Sequence, residues 1–249
     1  MNGGRSAGVS LWCLHGALGE AADWRGLAAA VAGQGLEARS VDLWRFLACR
    51  PMSLPEVGRA LNEEARAVRG MDRVLLGYSM GGRLALHALL DEQEHPWRAA
   101  VIVSAHPGLE EEAQRAKRRA ADAAWAAEAL GGDWDRMVGE WNAQPVLAGG
   151  EVPRRAGLEA RRQAVARSFV DWSLGTQEPL WSRLGEIRVP VLWVAGERDG
   201  KFRGLAERAV DALPDGCLWT VEGAGHRVPW QAGEAFASRV VEFLEQCRG

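Results

Sequence analysis

The sequence predicts an α/β fold, in which a mostly parallel sheet is covered by helices. Short apolar segments alternate with longer segments whose apolar residues recur at helical spacing, and this alternation is typical of parallel strands joined by helices. The chain of 249 residues is also long enough to bury a sizeable core. We therefore expect a single domain over residues 1–249.

Six segments carry the strand pattern, each a short apolar run bounded by polar residues or glycine. We predict strands at residues 9–14, 38–43, 73–77, 99–104, 189–195 and 217–221. Between them lie helical segments, one of which has a clear start: Ser53 and Glu56 have the spacing of a capping box. We predict helices at residues 23–32, 53–69, 83–90 and 232–247.

The strand pattern disappears between Leu109 and Arg183. This stretch is rich in Arg and Trp and is interrupted by glycine pairs at 131–132 and 149–150. Strand and helix patterns resume on its far side. We therefore predict a helical insertion, or cap, at about residues 109–183 rather than an independent domain.

Composition and charge argue against several classes of protein. Apolar residues make up 47% of the chain and charged residues 25%, a balance typical of globular proteins. The formal net charge of −3 gives no general attraction to nucleic acid or to an anionic membrane, so we expect neither partner. The four cysteines form no C-x-x-C pair, which argues against a zinc site and favours a reducing compartment. Because we find no signal-peptide pattern and no apolar stretch of membrane-spanning length, we expect a cytoplasmic protein.

Residues 77–81, Gly-Tyr-Ser-Met-Gly, match the G-x-S-x-G nucleophile elbow. The motif places a serine on a sharp turn between a strand and a helix, and glycines on either side let the two elements approach closely. Here it lies between a predicted strand and a predicted helix, which is the required context. We predict that Ser79 is the reactive serine; the alternative is an ordinary serine in a glycine-rich turn.

A serine of this kind needs a histidine to take its proton and an acid to orient that histidine. In the fold that carries this nucleophile elbow, the acid and the histidine follow the serine along the chain, each on a loop after a strand. Asp199 and His226 occupy such loops, so we predict a Ser79–Asp199–His226 triad. Glu197 is the competing acid, but it lies only just past the end of its strand.

The segment His15-Gly16-Ala17 follows the first predicted strand, where the elbow fold places half of an oxyanion hole. We predict that the backbone N–H groups of Ala17 and Met80 form this hole. The alternative is a plain strand-to-loop turn. His15 is expected to make a supporting hydrogen bond rather than to react.

Five segments together resemble one enzyme family. They are GYSMGGR at 77–83, SAHPGL at 104–109, WNAQPV at 141–146, GERDGKF at 196–202 and GAGH at 223–226. The elbow and the triad are common to a superfamily, whereas the arginine after the elbow, the HPGL and W-x-x-Q-P segments and the lysine after the acid are more specific. Over nearly the whole chain the sequence resembles the 2-succinyl-6-hydroxy-2,4-cyclohexadiene-1-carboxylate synthases of menaquinone biosynthesis.

The resemblance implies an α/β-hydrolase fold with the helical cap inserted after the sixth strand. It implies a lyase that removes a proton from a cyclohexene substrate and releases pyruvate in a 2,5-elimination, with no cofactor and no metal. Ser79, activated by His226 and Asp199, would be the base. The expected partner is a small anionic polycarboxylate; the oligomeric state is left open.

Several basic residues are candidates for binding the anionic substrate. Arg83 lies one helical turn after Ser79, close enough to reach an anion above the elbow. By resemblance, Arg118 and Arg162 align best with the family's carboxylate-binding arginines, and Trp141 lines the pocket. Lys201 and Tyr78 are the remaining candidates for substrate binding. The flanking cations are more typical of a solvated surface: Arg115, Lys117, Arg119 and Arg161.

Two segments depart from the usual pattern. The loop at 42–47, Asp-Leu-Trp-Arg-Phe-Leu, lacks the glycines common in this superfamily, so we expect Trp44 or Arg45 to enter the pocket. His226 is followed by Arg-Val-Pro-Trp at 227–230, which is expected to alter the floor of the site. A carboxylesterase or carbon–carbon bond hydrolase with the same triad is the main alternative, and a non-enzymatic binding module is the third hypothesis.

Overall fold

A computed structural model describes residues 8–91, 94–149 and 157–247. Its sheet has six strands in the order β2-β1-β3-β4-β5-β6, and every neighbouring pair is parallel. The strands are β1 (Gly8–Leu14), β2 (Leu36–Val41), β3 (Met71–Tyr78), β4 (Ala99–Val103), β5 (Val191–Gly196) and β6 (Gly216–Val221). The predicted α/β fold with a parallel sheet is confirmed.

Helices flank the sheet and form the segment between β4 and β5. They are α1 (Arg25–Val31), α2 (Trp44–Leu47), α3 (Leu54–Ala67), α4 (Met80–Leu89), α5 (Glu112–Gly131), α6 (Trp134–Asn142), α7 (Arg162–Asp171), α8 (Gly200–Ala212), α9 (Val228–Gln231) and α10 (Gly233–Gln246). Short 3-10 turns occur at Ala21–Trp24, Ala32–Gln34, Pro145–Leu147, Glu159–Arg161 and Trp181–Glu186. In the described ranges, no helix is both long and apolar enough to cross a bilayer.

The helical segment lies where the sequence indicates but not where the resemblance implies. Helices α5, α6 and α7 follow β4, the fourth of the six strands described, and β5 and β6 come after them. The expected position after a sixth strand is therefore wrong for this sheet, because residues 8–91 supply only three strands before β4. We call α5–α7 and the described residues between them the cap.

Two boundaries differ from the prediction for a local reason. Strand β2 ends at Val41, where its pairing with Leu14 of β1 ends, and the chain then turns at Asp42 into α2. The predicted strand at 38–43 therefore begins and ends too late.

The capping box of α3 is confirmed: Ser53 Oγ accepts from Glu56 N–H at 3.4 Å, and Ser53 N–H donates to the Glu56 carboxylate at 2.7 Å.

The core lies on both faces of the sheet. Successive side chains of a strand point to opposite faces, so Leu11 and Cys13 join one buried cluster while Trp12 and Leu14 join the other. The carboxyl ends of parallel strands share one edge of a sheet, and ligands in open α/β sheets bind outside that edge. The loops after β1, β3, β4, β5 and β6 therefore meet at a single place.

Candidate active site

Ser79 lies on a strained turn between β3 and α4. Its backbone has φ 52° and ψ −109°, in a region that side chains other than glycine rarely adopt. Neighbouring glycines let β3, α4 and the end of β1 approach one another closely. A Cβ on Gly77 would lie 2.4 Å from the carbonyl oxygen of Gly81, and one on Gly81 would lie 2.3 Å from that of Leu14. The turn therefore has the geometry of a nucleophile elbow, with the serine hydroxyl at the edge of the sheet.

Ser79, His226 and Asp199 form a continuous hydrogen-bonded chain. His226 Nε2 lies 3.2 Å from Ser79 Oγ, and His226 Nδ1 lies 2.6 Å from Asp199 Oδ2. Both His226 and Asp199 are buried. With the neutral ring protonated on Nδ1, His226 donates to Asp199 and accepts from the serine hydroxyl, so it can take the proton of Ser79.

The loops that carry the acid and the histidine are held by further contacts. Asp199 Oδ1 accepts from the N–H of Phe202 at 3.4 Å at the start of α8, and the Phe202 ring packs 4.4 Å from that of His226. Glu197, the competing acid, accepts from Gly223 N–H at 2.9 Å instead. The geometry therefore favours Asp199 as the partner of His226.

A cavity opens beside Ser79 between the sheet edge and the cap. Its lining combines the reactive serine, the expected oxyanion-hole residues, two arginines and aromatic side chains. The residues are Ala17, Ser79, Met80, Arg83, Ser104, His106, Arg118, Trp141, Leu174 and Phe202. Met80 is the first residue of α4, so its N–H has no acceptor within the helix and can bind an anion.

His15 is completely buried and fixes the loop that carries Ala17. Its Nε2 accepts from Leu43 N–H at 3.2 Å, which places the ring proton on Nδ1, 2.9 Å from the carbonyl oxygen of Gly16. Behind this loop Gly16 contacts the Tyr78 ring so closely that a Cβ would lie 2.7 Å from it. These contacts agree with the supporting role expected of His15.

Arg83 is a buried cation whose partners are neutral. Its guanidinium donates to Gln177 Oε1 at 3.1 Å and to the carbonyl oxygen of Trp172 at 2.7 Å. Among the described residues no carboxylate lies within ion-pair distance of it. Burial is the main cause that lowers the pKa of Arg83 to about 9; the charge of Arg118 acts in the same direction, and Asp122 acts in the opposite one. The cavity therefore has positive charge that the surrounding chain does not neutralise.

Arg118 lies on the cap side of the same cavity. Its Nε donates to both oxygens of Asp122, at 2.9 and 2.8 Å, and the buried Asp122 also accepts from the Ser173 hydroxyl. This network fixes the stem of Arg118, while the side chain as a whole stays 38% exposed and borders the cavity. An anion between Arg83 and Arg118 would relieve the repulsion between them.

Comparisons with known proteins agree with this site. The family described as "Alpha/beta hydrolase family" matches residues 13–239. A 2-succinyl-6-hydroxy-2,4-cyclohexadiene-1-carboxylate synthase of Pectobacterium atrosepticum is 32% identical over 255 residues, covering 98% of this chain and 98% of that protein. The chain belongs to the 2-succinyl-6-hydroxy-2,4-cyclohexadiene-1-carboxylate synthases of the α/β-hydrolase family.

Other relatives and solved structures extend the comparison. A synthase of the same name from Serratia proteamaculans is 34% identical over 183 residues, covering 71% of this chain and 70% of its own. The structure of MenH from S. aureus superposes with a TM-score of 0.84 at 23% identity, covering 99% of this chain and 97% of that one. An esterase from Exiguobacterium antarcticum has a TM-score of 0.76 at 18% identity, covering 97% and 93%. At these identities the two structures show the fold alone.

Two of the predicted substrate-binding residues do not line the cavity. Arg162 donates to the carbonyl oxygens of Leu130 and Gly132 at the end of α5, pairs with Glu159 and lies over the Trp134 ring. Its cation therefore stabilises a helix end, and a contact with substrate is not supported.

Tyr78 is the second such residue. It is buried behind the triad, with its ring 5.5 Å from that of His226 and 4.8 Å from that of Trp230, and it does not line the cavity. The structure assigns Tyr78 a packing role.

Trp141 and Lys201 lie near the expected place. Trp141, on α6, lines the cavity and packs edge-on against Trp125 and Phe169, with ring centroids 5.2 and 5.1 Å away. Lys201 does not line the cavity, but its Nζ lies 5.6 Å from the ring of the cavity residue Phe202. Burial and the nearby charge of Arg118 lower the pKa of Lys201.

The flanking cap cations pair with carboxylates or are exposed, but Arg115 is partly enclosed, with 18% of its side chain exposed. Arg115 pairs with Glu178, Arg119 with Glu112, and Arg161 with Asp42, while Lys117 is exposed. Arg119, Arg161 and Lys117 therefore have the solvated position that their charge pattern predicts, whereas Arg115 does not.

The unusual loop at 42–47 does not enter the cavity. Trp44 is buried and donates its indole N–H to the carbonyl oxygen of Gly19 at 2.7 Å, and Arg45 pairs with Glu64 at the surface. The expectation that one of them enters the pocket is therefore wrong. Arg227, directly after His226, donates to Asn142 of α6 and so ties the histidine loop to the cap.

Sequence reasoning missed four residues that line the cavity: Ser104, His106, Leu174 and Phe202. The first two follow β4, and their position after a strand was a signal available in the sequence. Ser104 has φ 47° and its hydroxyl donates to the carbonyl oxygen of His226 at 3.0 Å.

Among the residues described, no group of three or more His, Cys, Asp or Glu side chains could hold a metal ion.

Proposed function

We propose that the chain is a carbon–oxygen lyase of menaquinone biosynthesis. It eliminates pyruvate from 2-succinyl-5-enolpyruvyl-6-hydroxy-3-cyclohexene-1-carboxylate and forms 2-succinyl-6-hydroxy-2,4-cyclohexadiene-1-carboxylate. One observation carries the proposal: a hydrogen-bonded serine triad opens onto a cavity where the buried cation of Arg83 lacks a carboxylate partner among the described residues. A small polycarboxylate supplies the missing negative charge.

The triad acts as the base. Ser79 Oγ removes the proton from C2 of the ring as its own proton passes to His226 Nε2, and Asp199 stabilises the imidazolium that forms. The electron pair of the C2–H bond forms the C2–C3 double bond, the ring double bond moves to C4–C5, and the C5–O bond breaks. The leaving enolpyruvate becomes pyruvate when it is protonated.

The oxyanion hole stabilises charge during this step. Negative charge from C2 delocalises onto the carbonyl oxygen of the succinyl group. We assign the backbone N–H groups of Ala17 and Met80 to that oxygen, since both residues line the cavity beside Ser79. Donors that are fixed before the reaction stabilise the charge without reorganisation at the moment of proton transfer.

Arg83 and Arg118 bind a substrate carboxylate, and Trp141 covers the ring. The two cations repel each other, and an anion between them offsets both that repulsion and the loss of solvation that burial causes. Lys201 adds positive charge at the rim.

We further propose one domain over residues 1–249 with a cap at about 109–183, and a cytoplasmic location.

The decisive experiment follows pyruvate release from the enolpyruvyl cyclohexene substrate, prepared freshly from its precursors, together with the absorbance of the diene product. The wild-type protein should accelerate release far above the spontaneous rate, and Ser79→Ala should lower kcat by at least about a thousandfold. Thermal unfolding of Ser79→Ala should match the wild type. Uncatalysed release in the presence of folded wild-type protein would refute the lyase.

Hydrolysis of esters or of carbon–carbon bonds is the second candidate. The observation that favours it is the triad itself, because a serine 3.2 Å from its histidine can equally attack a carbonyl carbon. Neutral esters leave Arg83 and Arg118 without a counter-charge. Turnover of a neutral aryl ester that exceeds pyruvate release, and that survives Arg83→Ala, would establish the hydrolase.

A further inference from the structure

His106 is a cavity residue to which the mechanism above gives no role. It follows β4 in the turn His106-Pro107-Gly108 and is 7% exposed. Its ring packs edge-on against Phe202 and Trp181, with centroids 6.5 and 6.4 Å away. These contacts fix the ring at the wall of the cavity that contains Ser79.

The hydrogen bonds of His106 determine where its proton lies. Nδ1 accepts from the backbone N–H of Gly108 at 3.0 Å. A nitrogen that accepts carries no proton, so a neutral ring is protonated on Nε2. No acceptor for Nε2 lies among the described residues, although the nitrogen belongs to a side chain that borders the cavity.

The surroundings keep this ring neutral. Burial is the main cause that lowers the pKa of His106 to about 3, with smaller contributions from the charges of Lys201, Arg83 and Arg118 and an opposite effect of Glu110. A second positive charge beside Arg83 is therefore disfavoured. A neutral imidazole can still supply a hydrogen-bond donor without adding to the repulsion between the arginines.

We propose that His106 determines specificity by donating its Nε2–H to the substrate carboxylate that Arg83 and Arg118 bind. This inference rests on the proposed function and deepens it. A carboxylate has about four acceptor positions, so two arginines leave room for a neutral third donor. Because the carboxylate keeps its charge through the elimination, the bond stabilises bound substrate and transition state equally and acts on KM rather than on kcat.

Two substitutions separate this role from a structural one. His106→Asn places an amide oxygen near Nδ1 and preserves the acceptor for Gly108 N–H, but it removes the donor at the Nε2 position. His106→Gln places an amide N–H near Nε2 and removes the acceptor at Nδ1. If His106 serves only the turn, the asparagine variant is the milder one; if it binds substrate, the glutamine variant is.

The measurement is KM for pyruvate release, which does not depend on the fraction of correctly folded enzyme. His106→Asn should raise KM about 10- to 100-fold, the usual effect of losing a hydrogen bond to a charged group, with kcat within about threefold. His106→Gln should stay within about fivefold of the wild-type KM. A KM for the asparagine variant that is not at least about fivefold above that of the glutamine variant overturns the proposal.

A second measurement uses the unmodified protein and needs no folded variant. The chain has five histidines, so side-chain nitrogen NMR can resolve each ring. His106 should be a neutral Nε2–H tautomer at neutral pH, and saturating succinate should shift its Nε2 resonance. A cationic ring, an Nδ1–H tautomer or an unchanged Nε2 resonance contradicts the inference.

The two proposals fail differently. If the wild-type protein releases no pyruvate, the lyase is refuted, and the role of His106 is then decided by succinate affinity measured by calorimetry on the same two variants. Weaker binding to His106→Asn than to His106→Gln supports a carboxylate donor; equal binding excludes it.

Discussion

The triad and the arginine pair, Arg83 and Arg118, differ in whether the protein itself supplies all of their partners. Ser79, His226 and Asp199 satisfy one another through hydrogen bonds of 3.2 and 2.6 Å. Arg83 and Arg118 have fixed stems but excess positive charge facing a cavity. The catalytic part is therefore complete without a ligand, whereas the binding part needs an anion. Under the proposed function, substrate selection depends on the charge of the arginine pair, whereas proton transfer depends on the loops at the edge of the sheet.

The two parts also come from different elements. The triad lies on loops after β3, β5 and β6, whose positions follow from the parallel sheet. Arg83 lies on α4 and Arg118 on α5, where the cap meets the sheet. Changes in the triad should therefore affect kcat, and changes in the arginine pair should affect KM.

The largest effect is expected at the acid of the triad. Asp199→Asn keeps the size of the side chain but removes the negative charge that orients and stabilises the His226 ring. We expect kcat for pyruvate release to fall about 10³- to 10⁴-fold with KM little changed. The matched control is Glu197→Gln, which alters an exposed acid two residues away and should leave kcat within about threefold.

The reverse ranking of these two variants would assign the acid to Glu197. Single-turnover measurements should locate the loss in the proton-transfer step. The melting temperature of Asp199→Asn checks that the loop after β5 stays folded, since the asparagine oxygen can still accept from Phe202 N–H.

Local patterns in the sequence indicate the three residues that the structure brings together as Ser79, His226 and Asp199, but they do not indicate which cap arginine borders the cavity. The elbow glycines must be small because β3 and α4 are in contact, so Gly77 and Gly81 mark the turn in the sequence. Arg118 and Arg162 both lie on helices with similar neighbours, and sequence alone does not separate them. The structure separates them. Arg118 borders the cavity beside Asp122, which is fixed from outside α5 by Ser173, whereas Arg162 binds the carbonyl groups that end α5.

Arg83 and Arg162 provide the sharpest test of the binding part. Arg83→Ala removes the buried cation and should raise KM about 10- to 100-fold, because a hydrogen-bonded charge pair with the substrate is lost. Arg162→Ala removes a cation of the same kind from the surface and should leave KM within about threefold. The measurement is pyruvate release over a range of substrate concentrations.

Equal effects of the two substitutions would contradict the separation between cavity and surface cations. Unfolding in urea provides the structural control. Arg162→Ala is expected to cost about 0.5–1 kcal/mol of stability, because its contacts with the end of α5 are lost.

His87 tests the electrostatics of α4 in the absence of substrate. It lies one turn after Arg83, is buried, and its Nε2 has no hydrogen-bond partner in the described part of the chain. Burial, with smaller contributions from the charges of Arg83 and Arg183, lowers the pKa of His87 to about 3. The unfolded chain, with a pKa of about 6.5, binds a proton that the folded state does not.

The contribution of neutral His87 to the free energy of unfolding is therefore fully present above about pH 6.5 and is lost as the pH falls towards 3. In His87→Leu the decrease in the free energy of unfolding between about pH 6.5 and 4 should be smaller by about 2–3 kcal/mol. Urea titrations at several pH values measure it. An unchanged pH dependence would show that His87 is protonated in the folded protein.

Salt should have the smallest effect, and it acts on the binding part alone. Between about 0.02 and 0.5 M salt the screening length falls from roughly 20 Å to about 4 Å, so KM for the anionic substrate should rise severalfold while kcat stays nearly constant. Arg118→Gln is the matched variant: it removes the half-exposed cation and should make the salt dependence of KM shallower. A slope unaffected by this substitution would assign the salt effect to the surface field of the protein, leaving Arg83 as the cation that binds the carboxylate directly.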